Sequence, residues 1–428
     1  MNYTKKEIKD GITIHNIETD KFKTNIISIF LTTPLTREFV TFDSILTSVL
    51  RRGSKNMPSQ EEISKTMEEM YGASFNCGID KTGDNHILKF YVESINNDYL
   101  PQGEKNMLKT SFEKLAEIVF DPYTENGVFK TEYIDQEKEN MKQRIEAKVD
   151  NKATYAKARC VEEMYKGDPA GLYRYGYTED LKEINSNNLF NYYKKLIDEC
   201  KIDIFISGKI AENENLKIMQ ESKYIQNLQP RNANYIINNI EIKPEVEEKY
   251  IEEKQDVTQG KLVIGCDIRF NDEDLKNKKL KYMALVYNNL LGGSANSKLF
   301  QNVREKASLA YTASSNYVRF KSNIYINAGI EIANYEKALN IIKEQLQSLE
   351  NGDFTEEDIQ NEKKVILSYV NQIEDEQDTE LMYYFGQELI DSHETIEDYK
   401  NGINSVTKDE LINIASKIKI NTIYFLRN

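Results

Sequence analysis

The sequence predicts an α+β fold with two homologous domains, each a mostly antiparallel sheet with helices packed on one face. The chain has 428 residues, which is more than one hydrophobic core usually accommodates. Strand-like and helix-like segments form clusters instead of alternating strictly, and this pattern favours an α+β sandwich over a doubly wound sheet. The same order of segments also occurs twice. We therefore expect a first domain at 1–220, a polar linker at 221–250 and a second domain at 251–428.

The first half is predicted to open with a strand and a buried helix. Residues 41–54 place apolar side chains at helical spacing, and Gly53 predicts the helix stop. Ser59 and Glu62 have the spacing of a capping box and begin a second helix. In residues 86–94 apolar and polar side chains alternate, as expected of a strand with one covered face. The other predicted elements are a strand within 21–33, helices near 112–119, 131–165 and 186–199, and a strand at 202–208.

The second half repeats this order of elements. Its predicted elements are strands at 261–268, 323–332 and 421–427, helices at 281–294 and 338–349, and a long helix opened by Thr355. Local matches pair Gly53-Ser54 with Gly293-Ser294, 134–138 with 359–363, and 183–186 with 402–405. The spacing between partners falls from 240 to 225 to 219 residues, so we expect the first copy to carry extra residues near 99–108.

Composition argues against several classes of function. The net charge is −14, so phosphate backbones and anionic membranes are repelled at long range. No apolar run reaches membrane-spanning length, and the first residues contain no apolar stretch that could act as a secretory signal. We therefore expect a cytoplasmic protein without nucleic-acid or membrane partners. The cysteines form no CxxC pair, which predicts reduced packing residues at Cys77, Cys160, Cys200 and Cys266.

One face of the helix at 41–54 is unusual. Ser44, Thr47 and Ser48 are spaced i, i+3 and i+4, so three short hydroxyls share one side of the helix. Two interpretations are open. Either this face has lost a group that once needed it, or the three are small packing residues whose hydroxyls bond back to the helix.

The histidines give no sign of a metal site. His15, His86 and His393 each lack a second histidine three to five residues away. We interpret all three as surface or loop residues.

The repeated order of a helix ending in glycine, a capped helix, a strand with one wet face and a long Glu-Lys helix resembles a known family. It is similar to the pitrilysin or insulinase-like zinc metallopeptidases, including the mitochondrial processing peptidase and its bacterial relatives. The resemblance covers essentially the whole chain and implies a metallohydrolase-like tandem repeat. Active members carry His-x-x-Glu-His followed by Gly-Thr; the histidines bind zinc and the glutamate polarises the attacking water.

The resemblance implies that the zinc motif is lost here. With Gly-Thr aligned on Gly53-Ser54, Ser44 and Ser48 replace the two histidines and Thr47 replaces the glutamate. The third ligand, a glutamate in active members, falls near Arg144. Neutral hydroxyls bind zinc poorly. We therefore expect no metal and no other cofactor in this chain.

The second-domain signature of the family is kept. It lies in residues 291–315, where Arg304 and Tyr311 match an arginine and a tyrosine that reach the substrate in the family. The resemblance implies that Arg304 would hold a substrate carbonyl and that Tyr311 would donate to the oxygen that becomes negative. The alternative is an ordinary surface arginine and core tyrosine. Gly292-Gly293 is interpreted as a helix end in preference to a loop that grips substrate.

Half of a catalytic apparatus is thus absent and half is kept. The leading hypothesis is a non-catalytic, zinc-free subunit that binds peptide together with a zinc-bearing homologue; a homodimer is possible in isolation. An alternative is a structural scaffold or peptide-binding protein without a peptidase partner, and a third is a hydrolase that uses other residues. The insert-bearing, zinc-free form also resembles a subfamily connected with elongation factor P modification.

Overall fold

The computed structural model describes residues 2–101, 106–209 and 212–428 of the chain. These residues form two compact units. Unit 1 consists of Met1–Glu146, Leu172–Ile237 and Glu376–Phe385, and unit 2 consists of Ala147–Gly171, Asn238–Asp375 and Gly386–Asn428.

The strands, in chain order, are β1 (Asn2–Lys9), β2 (Ile12–Glu18), β3 (Thr24–Pro34), β4 (Ser74–Thr82), β5 (Asn85–Ile95), β6 (Thr124–Glu125), β7 (Val128–Phe129), β8 (Lys201–Gly208), β9 (Lys249–Lys254), β10 (Gly260–Ile268), β11 (Ala310–Val318), β12 (Asn323–Ile330) and β13 (Ile418–Arg427).

The α-helices are α1 (Val40–Leu50), α2 (Gln60–Glu69), α3 (Met107–Phe120), α4 (Thr131–Glu146), α5 (Lys152–Met164), α6 (Ser186–Glu199), α7 (Glu212–Glu221), α8 (Lys223–Asn227), α9 (Leu280–Asn288), α10 (Tyr335–Glu350), α11 (Glu356–Gln372), α12 (Gln377–Glu388), α13 (Ile396–Asn404) and α14 (Lys408–Lys417). π-Helical segments occupy Asn289–Gly293 and Phe300–Lys306. Among the described residues, no helix is long and apolar enough to cross a membrane.

Unit 1 is built on a sheet with the strand order β1-β2-β8-β3-β5-β4. Only the β2 and β8 pair is parallel among these neighbours in the described part of the chain; the others are antiparallel. On β5, Leu88, Phe90 and Val92 are buried while the residues between them are partly exposed, as the alternation predicted. Helices α1, α3 and α6 contribute to the core that covers this face.

Unit 2 repeats the topology of unit 1. Its sheet has the order β11-β12-β10-β13-β9, in which β9 and β13 are parallel and the other neighbours are antiparallel. Strands β9, β13, β10, β12 and β11 therefore take the places of β2, β8, β3, β5 and β4. The structure confirms the predicted α+β fold and its two-domain repeat.

One lysine in each unit makes the same hydrogen bond to a backbone carbonyl, and this shared contact supports the duplication. Lys138 on α4 donates its Nζ to the Ile184 carbonyl oxygen at 2.8 Å, and Lys363 on α11 donates to the Val406 carbonyl oxygen at 2.6 Å. Each acceptor immediately precedes the N-cap of the helix that leads into the equivalent strand of its sheet, α6 before β8 and α14 before β13. The predicted match of 134–138 with 359–363 therefore pairs residues with the same contact.

The predicted match of 183–186 with 402–405 is wrong by three residues. The lysine contacts make Val406, not Ile403, the counterpart of Ile184. Ile403 lies inside helix α13, so the shared letters there are a local coincidence.

Each sheet also carries a helical segment on its second face, and that segment comes from the other half of the sequence. In unit 2, α5 packs Cys160 and Met164 against β10 and β13. In unit 1, the α12 residue Phe385 stacks on Phe30 of β3 at 4.0 Å between ring centroids, and Tyr384 stacks on Tyr3 at 4.1 Å. Helices on one face were predicted, but this exchange was not.

The predicted linker at 221–250 is divided between the two units. Residues up to Ile237 belong to unit 1, where Tyr224 and Ile225 are buried, and residues from Asn238 onward belong to unit 2. The predicted domains 1–220 and 251–428 are copies of a sequence repeat, whereas the compact units combine segments from both halves of the chain. The domain boundaries therefore stay a prediction. Of the extra residues predicted near 99–108, residues 102–105 lie outside the described part of the chain.

Candidate functional site

The hydroxyl face of α1, formed by Ser44, Thr47 and Ser48, is bonded to its own helix. Ser44 Oγ donates to the Val40 carbonyl at 3.2 Å, Thr47 Oγ1 to the Asp43 carbonyl at 2.8 Å, and Ser48 Oγ to the Ser44 carbonyl at 3.2 Å. Ser44 and Thr47 are 1% and 4% exposed. Such back-bonding satisfies a hydroxyl in a helix interior but leaves it with no charge or free donor for chemistry.

The residue that faces Ser44 is Arg174. Its carbonyl oxygen lies 3.1 Å from Ser44 Oγ and 2.9 Å from His86 Nε2. Nearby, the Tyr177 N–H donates to Thr41 Oγ1 at 3.1 Å, and a Cβ at Gly176 would overlap the Thr41 side chain. The segment around 174–177 is therefore fixed closely over the start of α1.

A buried polar network lies beneath this face. Asp43 accepts hydrogen bonds from Tyr192 Oη at 2.5 Å through Oδ1, and its Oδ2 lies 2.8 Å from His86 Nδ1. All three residues are buried. Burial, followed by the neighbouring Asp43 carboxylate, raises the pKa of Tyr192 well above its ordinary value. The tyrosine therefore stays a neutral donor that holds the aspartate in place.

The prediction that the histidines are surface or loop residues is wrong for His86 and His15. Both are fully buried in strands of the first sheet. His15 Nε2 lies 2.9 Å from Asp203 Oδ1, and burial of this carboxylate is outweighed by Lys201 and His15, which lower its pKa. A carboxylate partner from a distant part of the chain offsets the desolvation cost of burying an imidazole. His393 is exposed, as predicted.

Arg144, the position matched to the third zinc ligand, is exposed on α4. Its guanidinium carbon lies 5.2 Å from the centroid of the Tyr175 ring, and that of Arg174 lies 4.7 Å from the same centroid. Cys77 Sγ contacts the Thr47 carbonyl at 3.7 Å, but burial raises the pKa of Cys77 to about 11 despite nearby Arg51 and Arg144. A protonated thiol is a poor metal ligand.

The donor set at these positions does not fit zinc. Zinc requires imidazole, thiolate or carboxylate donors, whereas the matched positions offer engaged hydroxyls and a cation. No step of a hydrolysis can therefore be assigned to Ser44, Thr47, Ser48 or Arg144.

Arg304 lies in the second π-helical segment of unit 2, and its side chain is 44% exposed. Its guanidinium carbon lies 4.5 Å from the centroid of the Phe300 ring, and its Nε lies 3.6 Å from Glu305 Oε1. Glu305 is itself 59% exposed, so this ion pair is weak and easily exchanged for another acceptor. π-Helical segments occur frequently at functional sites.

Tyr311 lies on the edge strand β11 and is 65% exposed. The register between β11 and β12 shifts between Ala310 and Thr312, which places Tyr311 at a β-bulge. Bulges commonly re-aim a side chain. Within the described part of the chain its hydroxyl has no hydrogen-bond partner. Tyr311 is therefore not the core tyrosine that the alternative interpretation required.

The helix end at Gly292-Gly293 is held by a buried glutamate. Glu362 on α11 accepts from Ser294 Oγ at 2.7 Å and from Asn289 Nδ2 at 3.1 Å, and burial raises the pKa of this carboxyl group. A Cβ at Gly292 would meet the Ser315 backbone nitrogen at 2.5 Å. The glycines thus serve a helix end packed on β11, as predicted.

Sequence patterns do not indicate the roles of Arg174 and Tyr175 or the network of Asp43, His86 and Tyr192. None of them lies at a regular spacing from its partners, and Asp43 and His86 are 43 residues apart. Only the strand alternation around His86, which places it on a covered strand, could have indicated burial.

Comparison with known proteins finds a matching family model and a similar bacterial protein. A family model described as "Peptidase M16 inactive domain" matches residues 183–366. A Bacillus subtilis protein named "Probable inactive metalloprotease YmfF" is 36% identical over 420 residues, which is 97% of this chain and 96% of that protein.

Two solved structures are similar over nearly their whole length. A conserved protein from Enterococcus faecalis has a TM-score of 0.89 and 28% identity, and covers 100% of this chain and 99% of its own. A peptidase M16 inactive domain from Pseudomonas fluorescens has a TM-score of 0.79 and covers 100% of this chain and 98% of its own. At 14% identity the second shows the fold alone.

Proposed function

Because this chain belongs to the peptidase M16 family, as one of its inactive members, we propose that it is the zinc-free subunit of a divided peptidase. In this proposal a homologous partner subunit supplies the zinc motif and the water-activating glutamate. This chain supplies Arg304 and Tyr311 and binds part of the peptide substrate.

Each residue has a role that its geometry allows. The Arg304 guanidinium donates to a carbonyl oxygen of the bound peptide by a charge-assisted hydrogen bond, which orients the substrate. The Tyr311 hydroxyl donates to the carbonyl oxygen that gains negative charge during cleavage. Both side chains can turn to a substrate at little cost in free energy, because the ion pair of Arg304 is exposed and Tyr311 is 65% exposed.

The observation that carries the proposal is the contrast between the two units. The three hydroxyls of this face in unit 1 already donate hydrogen bonds within the chain. Arg304 and Tyr311 are exposed and lack a buried partner in the described residues. Selection for structure alone gives no reason to keep an exposed arginine and tyrosine within the family signature.

The test is to purify the protein from its native cells and to identify what accompanies it. The proposal expects a homologue with His-x-x-Glu-His in about equal amount, and peptide cleavage that requires both chains when they are recombined. If elongation factor P modification is the pathway, that factor or its modifying enzyme should be enriched as well. Cleavage by the zinc-bearing homologue at the same rate with and without this chain would replace the proposal with a scaffold.

A further inference from the structure

Arg144 and Arg174, here called the arginine pair, lie beside the hydroxyl face of unit 1. We propose that the arginine pair is a binding site for a carboxylate, supplied by the C terminus of a peptide or by an acidic side chain. The site does not depend on the proposed partner, because all of its residues belong to unit 1.

The two guanidinium groups both lie against one aromatic ring. Both lie against Tyr175, at 5.2 Å for Arg144 and 4.7 Å for Arg174. Stacking on a ring restricts a long side chain and leaves the N–H edge of the guanidinium available. Two like charges beside the same ring repel each other, and a bound anion would relieve that repulsion.

The backbone that carries Arg174 is fixed from below. Its carbonyl oxygen receives hydrogen bonds from Ser44 Oγ and His86 Nε2, both of which are buried. His86, together with the Ser44 hydroxyl, therefore fixes the backbone of Arg174. A binding group held on an immobilised backbone loses little conformational entropy when a ligand arrives.

The charges around the pair favour a carboxylate ligand. No carboxylate of the described residues lies within ion-pair distance of Arg144. Arg174 Nη1 lies 3.1 Å from Asp80 Oδ1, but both side chains are about half exposed, at 45% and 52%, so a ligand can replace Asp80 at low cost. Glu137 is already paired with Arg52 at 3.2 Å. A planar guanidinium matches a carboxylate with two parallel hydrogen bonds.

The experiment measures binding of labelled alanine pentapeptides to the purified full chain by fluorescence anisotropy. One peptide has a free C-terminal carboxylate, one is amidated, and one is amidated with an internal glutamate. We expect the free carboxylate to bind about 10-fold more tightly than the amide, which is the usual worth of a charge-assisted bond. Recovery of affinity by the internal glutamate would mean that side-chain carboxylates are accepted; its failure would restrict the site to C termini.

Variants separate a defined site from general electrostatic attraction. Arg144→Ala and Arg174→Ala should each weaken binding of the carboxylate peptide about 10-fold, and Asp80→Asn should tighten it by removing the competing carboxylate. The matched control is Lys142→Ala, which removes an exposed cation two residues away on α4 and should change affinity less than about 2-fold. Arg144→Lys keeps the charge without the planar fork and should recover only part of the affinity.

Equal affinity for the free and amidated peptides would overturn the proposal. So would an effect of Lys142→Ala as large as that of Arg144→Ala, because it would show a diffuse field instead of a site. Thermal unfolding of each variant identifies any loss of binding that comes from loss of folding. Arg144 is exposed, so Arg144→Ala should keep the fold and leave the test valid.

Discussion

Helix α1 of unit 1 and the segment 291–315 of unit 2 differ in where their polar groups are directed. In α1 the hydroxyls of Ser44, Thr47 and Ser48 donate to carbonyl oxygens of the same helix. In the unit 2 segment, Arg304 and Tyr311 are exposed and have no buried partner among the described residues. The first surface is satisfied by the protein itself, and the second is available to a ligand.

The two surfaces bear on how an inactive member of this family can keep the family fold. Removal of metal ligands alone would leave a polar hollow with unsatisfied groups, which is costly. Here the Arg174 carbonyl oxygen lies 3.1 Å from Ser44 Oγ and shares its hydrogen bond with the Val40 carbonyl oxygen. The hydroxyls of unit 1 are therefore satisfied within the chain, whereas Arg304 and Tyr311 of unit 2 are exposed.

The largest expected effect concerns the exposed pair. Arg304→Ala and Tyr311→Phe should each slow peptide cleavage by the recombined complex about 100-fold to 1000-fold, the usual effect of removing one donor to a developing oxyanion. Steady-state rates at matched complex concentration measure this. Folding should be unchanged, since both side chains are exposed.

The matched controls for these variants are Ser44→Ala and Ser48→Ala, which should leave cleavage nearly unchanged. Equal, small effects at all four positions would show that the two surfaces do not differ in function. Arg304 and Tyr311 would then be ordinary structural residues, and a scaffold without a catalytic role would be the better description.

The second-largest expected effect is a loss of stability when the buried network of Asp43, His86 and Tyr192 is broken. Asp43→Ala removes the acceptor of Tyr192 and the partner of His86, leaving two buried polar groups unsatisfied. Each such group costs about 1 to 3 kcal/mol, so we expect a loss of about 3 kcal/mol or more in the free energy of unfolding. Urea denaturation measures it, with the exposed Asp80→Ala as control, which should cost less than about 1 kcal/mol. Equal losses would show that the network does not support α1.

Acid should weaken the attachment of α5 in unit 2. Glu253 is partly desolvated, but hydrogen bonds from Tyr155, Tyr424, Gln255 and Arg159 outweigh this and lower its pKa to about 2. Because the folded pKa lies below the unfolded one, this stabilisation is present above the ordinary carboxylate pKa and is lost as the pH falls toward 2. Its upper limit is about 3 kcal/mol.

The measurement is unfolding free energy between neutral pH and acid for the parent and for Glu253→Gln. The variant should lose stability at neutral pH and show a flatter pH dependence. Parallel curves for the two proteins would mean that Glu253 does not anchor α5.

The smallest effect is expected at the hydroxyl face. Ser44→Ala and Ser48→Ala should each change the free energy of unfolding by less than about 1 kcal/mol, because a hydroxyl bonded back to its own helix contributes little. His86 still satisfies the Arg174 carbonyl in Ser44→Ala. A loss above about 2 kcal/mol in thermal or urea unfolding would show that the serine hydroxyl, and not the histidine, holds this segment.

Sequence patterns predicted what depends on local periodicity. The alternation in 86–94 gave strand β5, and the repeated order of elements gave the duplicated sheet. Contacts between residues far apart in the sequence could not be predicted from local periodicity. His15 pairs with Asp203, 188 residues away, so an apparently lone histidine is a satisfied buried residue.

The exchange of helices between the two halves of the sequence was also not indicated by local patterns. Helix α5 has an ordinary amphipathic pattern, which says that one face is buried but not against which sheet. At the candidate site, sequence analysis identified Ser44, Thr47, Ser48, Arg304 and Tyr311, but nothing in it indicated that Arg174 would occupy the position beside Ser44.

We expect that the positions matched to the zinc motif, Ser44, Thr47 and Ser48, hold no metal in this chain. The most direct test is the zinc content of the chain, purified alone, incubated with zinc and passed through gel filtration. We predict well below about 0.1 zinc per chain and no peptide cleavage, because neither the engaged hydroxyls nor Arg144 can act as ligands. About one tightly held zinc per chain, or cleavage abolished by a chelator in a preparation free of any partner, would contradict the claim.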